Sequence, residues 1–148
     1  MSLAALFTWI VTASAGLYLL TIWLIEYDRE FQSAAATRLP VPVISAHALL
    51  AVAGLVVWAG YLITDTPRLA YAAALTLVVV AALGLTMAVR WIGVYRAHDA
   101  AAVRGTGGGI AVPPERNFPL PVVIGHGIFA VATIVLVVVT ALAEIGGS

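Results

Sequence analysis

The sequence predicts an all-α integral membrane protein, a four-transmembrane-helix bundle built from two tandem helical hairpins. Three observations carry that expectation. Of the 148 residues 63% are hydrophobic and only 9% charged, where a soluble domain carries roughly 25% charged residues; the mean hydropathy is +1.08. Four apolar runs of 23 residues each cover Leu3 to Ile25, Pro42 to Thr64, Ala70 to Ile92 and Pro121 to Ala143. At ~1.5 Å per residue each crosses a hydrocarbon core of ~30 Å. Finally, the second half of the chain repeats features of the first.

The first run contains no Asp, Glu, Lys or Arg. Ala13-Ser14-Ala15 has the small-x-small look of a cleavage site, but no cationic residue precedes it and the apolar run continues to Ile25, so it reads as a retained helix. The second and fourth runs are also free of charge, and the third holds only Arg90, near its end. All seven cationic residues are Arg, a usage that fits a GC-rich genome. The segment between the first two runs carries Arg29 and Arg38; the stretch from Arg90 to Leu120 carries Arg90, Arg96, Arg104 and Arg116; the other side has only Arg68. The positive-inside rule then puts both longer loops in the cytoplasm of a bacterial plasma membrane, with both termini outside.

The repeat is read by sliding the chain on itself. At an offset of 79, Pro40, Pro42, Val43, His47, Ala51 and Val56 fall on Pro119, Pro121, Val122, His126, Ala130 and Val135. At an offset of 68, Gly16-Leu17, Trp23 and Tyr27 fall on Gly84-Leu85, Trp91 and Tyr95. The units are residues 1–69 and 70–148, together one membrane domain. Each crosses the membrane twice, so both copies face the same way, related by a pseudo-two-fold axis along the membrane normal. The difference between the offsets is a longer loop, 96–118, containing Gly105-Thr106-Gly107-Gly108-Gly109. It lacks the Lys-Ser/Thr of a phosphate-binding loop and reads as a flexible insertion.

Pro-x-Pro stiffens the end of each loop and starts the next helix at a fixed point, since proline suits the first turn. Each histidine follows five residues past the second proline, roughly 7 to 8 Å along the helix. An imidazole among Val, Ile and Ala in lipid needs a hydrogen-bond partner or a metal, and an ionisable residue there is a functional candidate by default. His47 is flanked by Ala46 and Ala48, His126 by Gly125 and Gly127. Ala51 and Ala130 share the histidine face one turn on, and Gly54 and Thr133 a turn further. These small residues suit close helix packing and equally a slot for a flat ligand between the second and fourth helices.

Two neutral imidazoles across a slot suit the axial positions of a six-coordinate haem iron. On this expectation His47 and His126 are the metal ligands of one haem b. The second ring nitrogens donate to carbonyls one turn back, at Val43 or Val122. Arg38, Arg116 or their neighbours Arg90 and Arg96 serve the propionates. Trp91, Tyr95, Tyr27 and Phe118 at the same face read as an interfacial belt. Bundle-core ligands on facing helices resemble the plan of membrane-embedded cytochromes b, which implies a redox role, exchanging electrons with quinone or a partner subunit. The departure is that only one intramembrane pair is present, near one face, while His98 falls beside Asp99 in the Arg-rich loop.

Two readings compete with haem: a quinone pocket lined by the same imidazoles, and an accessory or assembly subunit of a larger membrane complex, or a homodimer, with no cofactor. There is no cysteine, which removes thiolate metal sites and disulfides. No Ser-His-Asp set, HExxH or Walker loop is present. Met1 and Met87 are the only soft ligands and neither is in the histidine motif, which argues against copper. A net charge of zero implies no nucleic acid, leaving the lipid bilayer as the certain surrounding.

Overall fold

The computed structural model describes residues 1–31, 37–103 and 113–146. Four helices account for nearly all of them: α1 (Ser2–Phe31), α2 (Val41–Thr64), α3 (Pro67–Val103) and α4 (Leu120–Gly146), with a 3₁₀ turn at Pro114–Asn117 before α4. Each α-helix is long and apolar enough to cross a membrane. The glycine-rich segment 105–109 lies outside the described residues.

The helix starts follow from the prolines. Pro40 caps α2 with extended geometry, φ −66° and ψ 120°, and its carbonyl accepts from the N–H groups of Val43 and Ile44 at 2.9 and 3.1 Å. Pro119 does the same for Val122 and Val123 at 3.0 and 3.1 Å. Pro42 and Pro121 fall where the missing N–H costs no helical hydrogen bond. At the far end α2 closes on Asp65, in the left-handed region at φ 50°, with its N–H on the Tyr61 carbonyl at 2.8 Å. This αL residue is what turns the chain directly into α3.

One expectation is corrected here. α3 does not stop near Ile92 but continues to Val103, so residues 96–103, including position 98, are helical and only the rest of 96–118 connects α3 to α4. The run Val94 to Val103 contains no Gly or Pro to break the helix.

The helices form a four-helix bundle. α1 packs along α4 and α2 along α3, with lighter contacts between α3 and α4 and between α1 and α2. α2 and α4 therefore stand on one diagonal and α1 and α3 on the other, and among the described residues neither diagonal pair packs directly. Each helix thus takes its main partner from the other hairpin, so segments 1–69 and 70–148 interlock in a single body.

Which side faces inward is set by a 3.5-residue seam, the spacing of side-by-side helices crossing at a shallow angle. On α2 the seam runs Ile44, His47, Ala51, Gly54, Trp58, Tyr61, of which Ile44, Gly54, Trp58 and Tyr61 are buried. The opposite face is apolar and bare: Leu49, Val56 and Ile63 are 72%, 65% and 83% exposed. A soluble protein avoids bare apolar faces of this extent; in lipid they cost nothing.

The core is divided. One cluster, at the end holding the helix α2–α3 turn, contains Ala5, Trp9, Trp58, Tyr61, Ala73, Leu77, Val137 and Ala141. The other, at the end bearing the Pro-x-Pro arms, contains Trp23, Leu39 and Ile44, with Leu20, Tyr27, Met87 and Phe118 against it. Between them, on all four helices, lies a layer that belongs to neither cluster. Both histidines are in it.

Candidate functional site

His47 lies six residues into α2 and His126 six residues into α4, ~9 Å along each helix. Their rings point toward each other across the diagonal, with centroids 6.3 Å apart and planes tilted by 60°. Both are half-buried, because the layer around them is not closed by the two core clusters.

Each imidazole is fixed by a helix of the other hairpin. His47 Nδ1 is 3.0 Å from the Val80 carbonyl on α3, and His126 Nδ1 is 3.0 Å from the Thr12 carbonyl on α1. A carbonyl only accepts, so Nδ1 carries the proton in both rings. In a neutral imidazole that leaves Nε2 with a free lone pair, and no hydrogen bond to either Nε2 is made among the described residues. The expected partners, Val43 and Val122, are replaced by carbonyls on neighbouring helices. The physical reason is reach: a carbonyl one turn back in the same helix already serves that helix, and the ring stands away from it across the bundle.

The neighbouring backbone comes so close because it carries glycine. A Cβ on Gly84 would sit 3.1 Å from His47 Cε1 and 3.5 Å from its Nδ1; a Cβ on Gly16 would sit 3.1 and 3.5 Å from the same atoms of His126. Val80 and Gly84, like Thr12 and Gly16, are four apart, one above the other on a helix face. The glycine receives the Cε1–Nδ1 edge of the ring while the carbonyl one turn earlier receives its N–H. The Gly-Leu motif shared at offset 68 was the signal for these positions; alone, it did not identify which ring they meet.

The remaining expected positions divide. Ala51 and Ala130 lie one turn beyond the histidines on the inward seam and are half-buried. Gly54 does not widen the space beside His47: a Cβ there would meet Trp9 Cζ2 at 2.9 Å and Thr76 Cγ2 at 3.2 Å, so an indole already fills it. Thr133 is 1% exposed, with its hydroxyl donating to the Phe129 carbonyl at 2.8 Å and lying 3.5 Å from the Thr12 hydroxyl. The bundle is therefore closed from the Gly54 level onward.

At the other side the layer is roofed by the arms. Trp23, 4% exposed, donates Nε1–H to the Thr37 hydroxyl at 3.2 Å. Trp91, 8% exposed, donates to the Glu115 carbonyl at 3.0 Å. Trp91 is thus no part of an interfacial belt, as its sequence setting suggested, and Phe118 packs inward on Trp23, Leu39 and Ile44. Each tryptophan ties down the segment that leads into its own hairpin's histidine helix. Tyr27 stacks on Trp23 at 4.7 Å and Tyr95 packs on Trp91 at 5.4 Å.

Of the four candidate arginines, Arg90 and Arg116 are engaged, while Arg38 and Arg96 have exposed side chains. Arg116 lies over the Tyr95 ring at 4.6 Å and pairs with Asp99 at 3.2 Å, which directs it toward the α3 extension and away from the histidines. The side chain of Arg38 is exposed while its carbonyl accepts from Arg90 Nη1 at 3.2 Å. Arg90, six residues beyond Gly84, lies ~9 Å above the histidine layer. Among the described residues no group of three or more His, Asp or Glu stands ready for a metal ion; what the fold offers is one facing pair of imidazoles. The chain matches no protein-family profile, no curated protein sequence and no solved structure.

Proposed function

We propose that the chain is a small membrane redox protein that holds one b-type haem between α2 and α4, with His47 and His126 as the two axial ligands. The observation that carries this reading is the ring separation. Metal–imidazole bonds are ~2.0–2.1 Å long and a ring nitrogen lies ~1.1 Å from its centroid, so two imidazoles holding one iron between them would have centroids about 6.3 Å apart. His47 and His126 are at 6.3 Å, and each would bind through its Nε2, since Nδ1 is taken by a carbonyl.

Three further observations support the fit. Nδ1 of each ring is occupied by a carbonyl, the outer-shell arrangement that fixes ligating histidines and leaves Nε2 basic. The two helices are not packed on each other, and the core is interrupted at the histidine level. A bound haem supplies one-electron redox chemistry. The chain's own residues hold it from both faces, keep the imidazoles neutral and oriented, and exclude water from one side through Trp9 and from the other through Phe118 and Leu39.

The recurrence of the same contacts at the same offsets (His47 on Gly84 and Val80, His126 on Gly16 and Thr12) supports a duplicated hairpin with its pseudo-two-fold axis along the membrane normal. We assign the Arg-rich end to the cytoplasm of a bacterial plasma membrane. At that depth His47 and His126 would hold the haem near one face, where it would supply electron exchange with a quinone in the adjacent leaflet or with a partner subunit.

The test is a visible spectrum of the detergent-purified protein, air-oxidised and then dithionite-reduced, beside His47→Ala and His126→Ala. A Soret band with sharp reduced α and β bands, lost in either variant, is expected. A colourless protein from cells that still assemble other cytochromes sinks the haem assignment and turns attention to quinone or to an accessory role.

A further inference from the structure

α2 and α4 carry the two histidines but do not pack on each other, so something else must fix the distance between them. Glu115 is placed to do so. It sits in the 3₁₀ turn just before α4, is fully buried, and crosses to the arm just before α2. Its Oε1 accepts from the Arg38 N–H at 2.7 Å and its Oε2 from the Thr37 hydroxyl at 3.0 Å. Its own carbonyl is held by Trp91 at 3.0 Å. Thr37 in turn is held by Trp23 at 3.2 Å.

We propose that Glu115 is a positioning residue that clamps the two Pro-x-Pro arms together and thereby sets the His47–His126 spacing. The consequence for haem rests on the function proposed above; the clamp itself does not. A carboxylate suits the task because it accepts at both oxygens, one bond for each of two successive residues of the opposite arm. The position at offset 79 from Glu115 is Ala36, whose side chain has no acceptor, so the first repeat has no copy of the Glu115 carboxylate. Reach is what matters. Removing one methylene withdraws the carboxylate by ~1.5 Å, a C–C bond length, and breaks the pair of bonds. Glutamine keeps the reach and the Arg38 bond through its Oε1, and gives up only the Thr37 bond, because the Thr37 hydroxyl already accepts from Trp23 Nε1 and from the Leu39 N–H at 3.2 Å each.

The absence of cysteine makes the test direct. Nitroxide labels on Leu49→Cys and Ile128→Cys, exposed positions two residues beyond each histidine, report the α2–α4 distance by pulsed dipolar EPR in lipid nanodiscs, with haem withheld. The wild-type background and Glu115→Gln are expected to give the same narrow distribution, and Glu115→Ala and Glu115→Asp a broader one. Should Glu115→Ala fail to fold, the Asp and Gln pair decides alone. Unchanged width in Asp, or broadening in Gln but not in Asp, overturns the clamp. With haem supplied, Ala and Asp should add a high-spin component that Gln lacks. A colourless protein whose label distances follow this pattern removes the haem reading and keeps the clamp; a coloured one with indifferent distances does the reverse.

Discussion

Gly16 and Gly84 allow the tightest test of the histidine layer. In Gly16→Ala the new Cβ would stand 3.1 Å from His126 Cε1, whereas carbon atoms rest at ~3.5–4.0 Å. The ring must retreat ~0.4–0.9 Å, and it retreats from the backbone that holds its N–H. The Nδ1 to Thr12 distance, 3.0 Å, then passes beyond the ~3.2 Å limit of a good N–H···O bond. That loss costs ~0.5–1.5 kcal/mol. Replacing glycine by alanine inside a helix returns ~0.8–1.0 kcal/mol. The two nearly cancel, so the haem-free protein should unfold within about 1 kcal/mol of wild type, for either single variant. Haem binding has no such compensation: disturbing the partner that orients a ligating histidine costs ~10–100-fold in affinity. Titration of haem into the apoprotein, followed at the Soret band, should show this weakening for Gly16→Ala and again for Gly84→Ala. Gly127→Ala is the control, being adjacent to His126 in sequence but with nothing within 4 Å of its Cβ position. An unaltered affinity in the Gly16→Ala/Gly84→Ala double variant, or an equal loss in the control, refutes the reasoning.

The other end of the bundle should respond in stability and not in colour. Gly54→Ala puts a Cβ at 2.9 Å from Trp9, an overpacking that should cost ~1–3 kcal/mol in thermal unfolding with the haem spectrum unaltered. Tyr61→Phe removes the 2.7 Å hydrogen bond to Glu144 and should cost ~1.5–3 kcal/mol, the range for a bond to a charged group, read by urea unfolding in mild detergent. Trp91→Phe removes one donor from the Glu115 carbonyl, which keeps a 3.4 Å bond from the Phe118 N–H; a loss of ~1 kcal/mol is expected in the same assay.

The spans, their number and their starts were legible because they depend on local chemistry. Apolar length sets the span, and Pro-x-Pro sets the first turn at Val41 and Leu120. Matched position on matched helices put His47 and His126 at one depth, but their facing was open in the sequence and is given by the ring contact at 6.3 Å. What stayed hidden depends on which helix lies beside which. The histidines' acceptors were sought one turn back because sequence shows neighbours along a helix and not across the bundle. The Val80 and Thr12 carbonyls are backbone atoms, and no side-chain pattern announces them. Gly54 looked like room because a small residue is silent about whether the space beside it is empty or filled from another helix, here by Trp9. Trp91 looked interfacial because tryptophan near a membrane end often is, and its Nε1–H partner is a carbonyl of the turn before α4. The continuation of α3 to Val103 was missed because falling hydropathy marks the end of a membrane span and not the end of a helix.

On the proposed duplication, the two halves of the bundle have changed by different rules. Beyond the histidine layer, the bulky positions related by the offsets differ: Trp9 and Leu77, Gly54 and Thr133, Trp58 and Val137, Tyr61 and Thr140, while the small pair Ala5 and Ala73 is the same. A hydrophobic core admits many volume-conserving solutions, so a large residue on one helix and a small one on its neighbour can be traded for two of middle size. Trp9 with Gly54 against Leu77 with Thr133 is such a trade. Within the layer and under the arms, several related residues are identical: Gly16 and Gly84, His47 and His126, Ala51 and Ala130, Trp23 and Trp91, Tyr27 and Tyr95, although Thr12 and Val80, and Leu39 and Phe118, are not. Packing alone does not require that identity, as the other end demonstrates. On the function proposed above, a single ligand gripped from both sides would, because two imidazoles would have to reach one point from positions related by the pseudo-two-fold, each with a glycine, a backbone carbonyl and a helix start at the same offsets. The filled end then has the simpler task of holding four helices together.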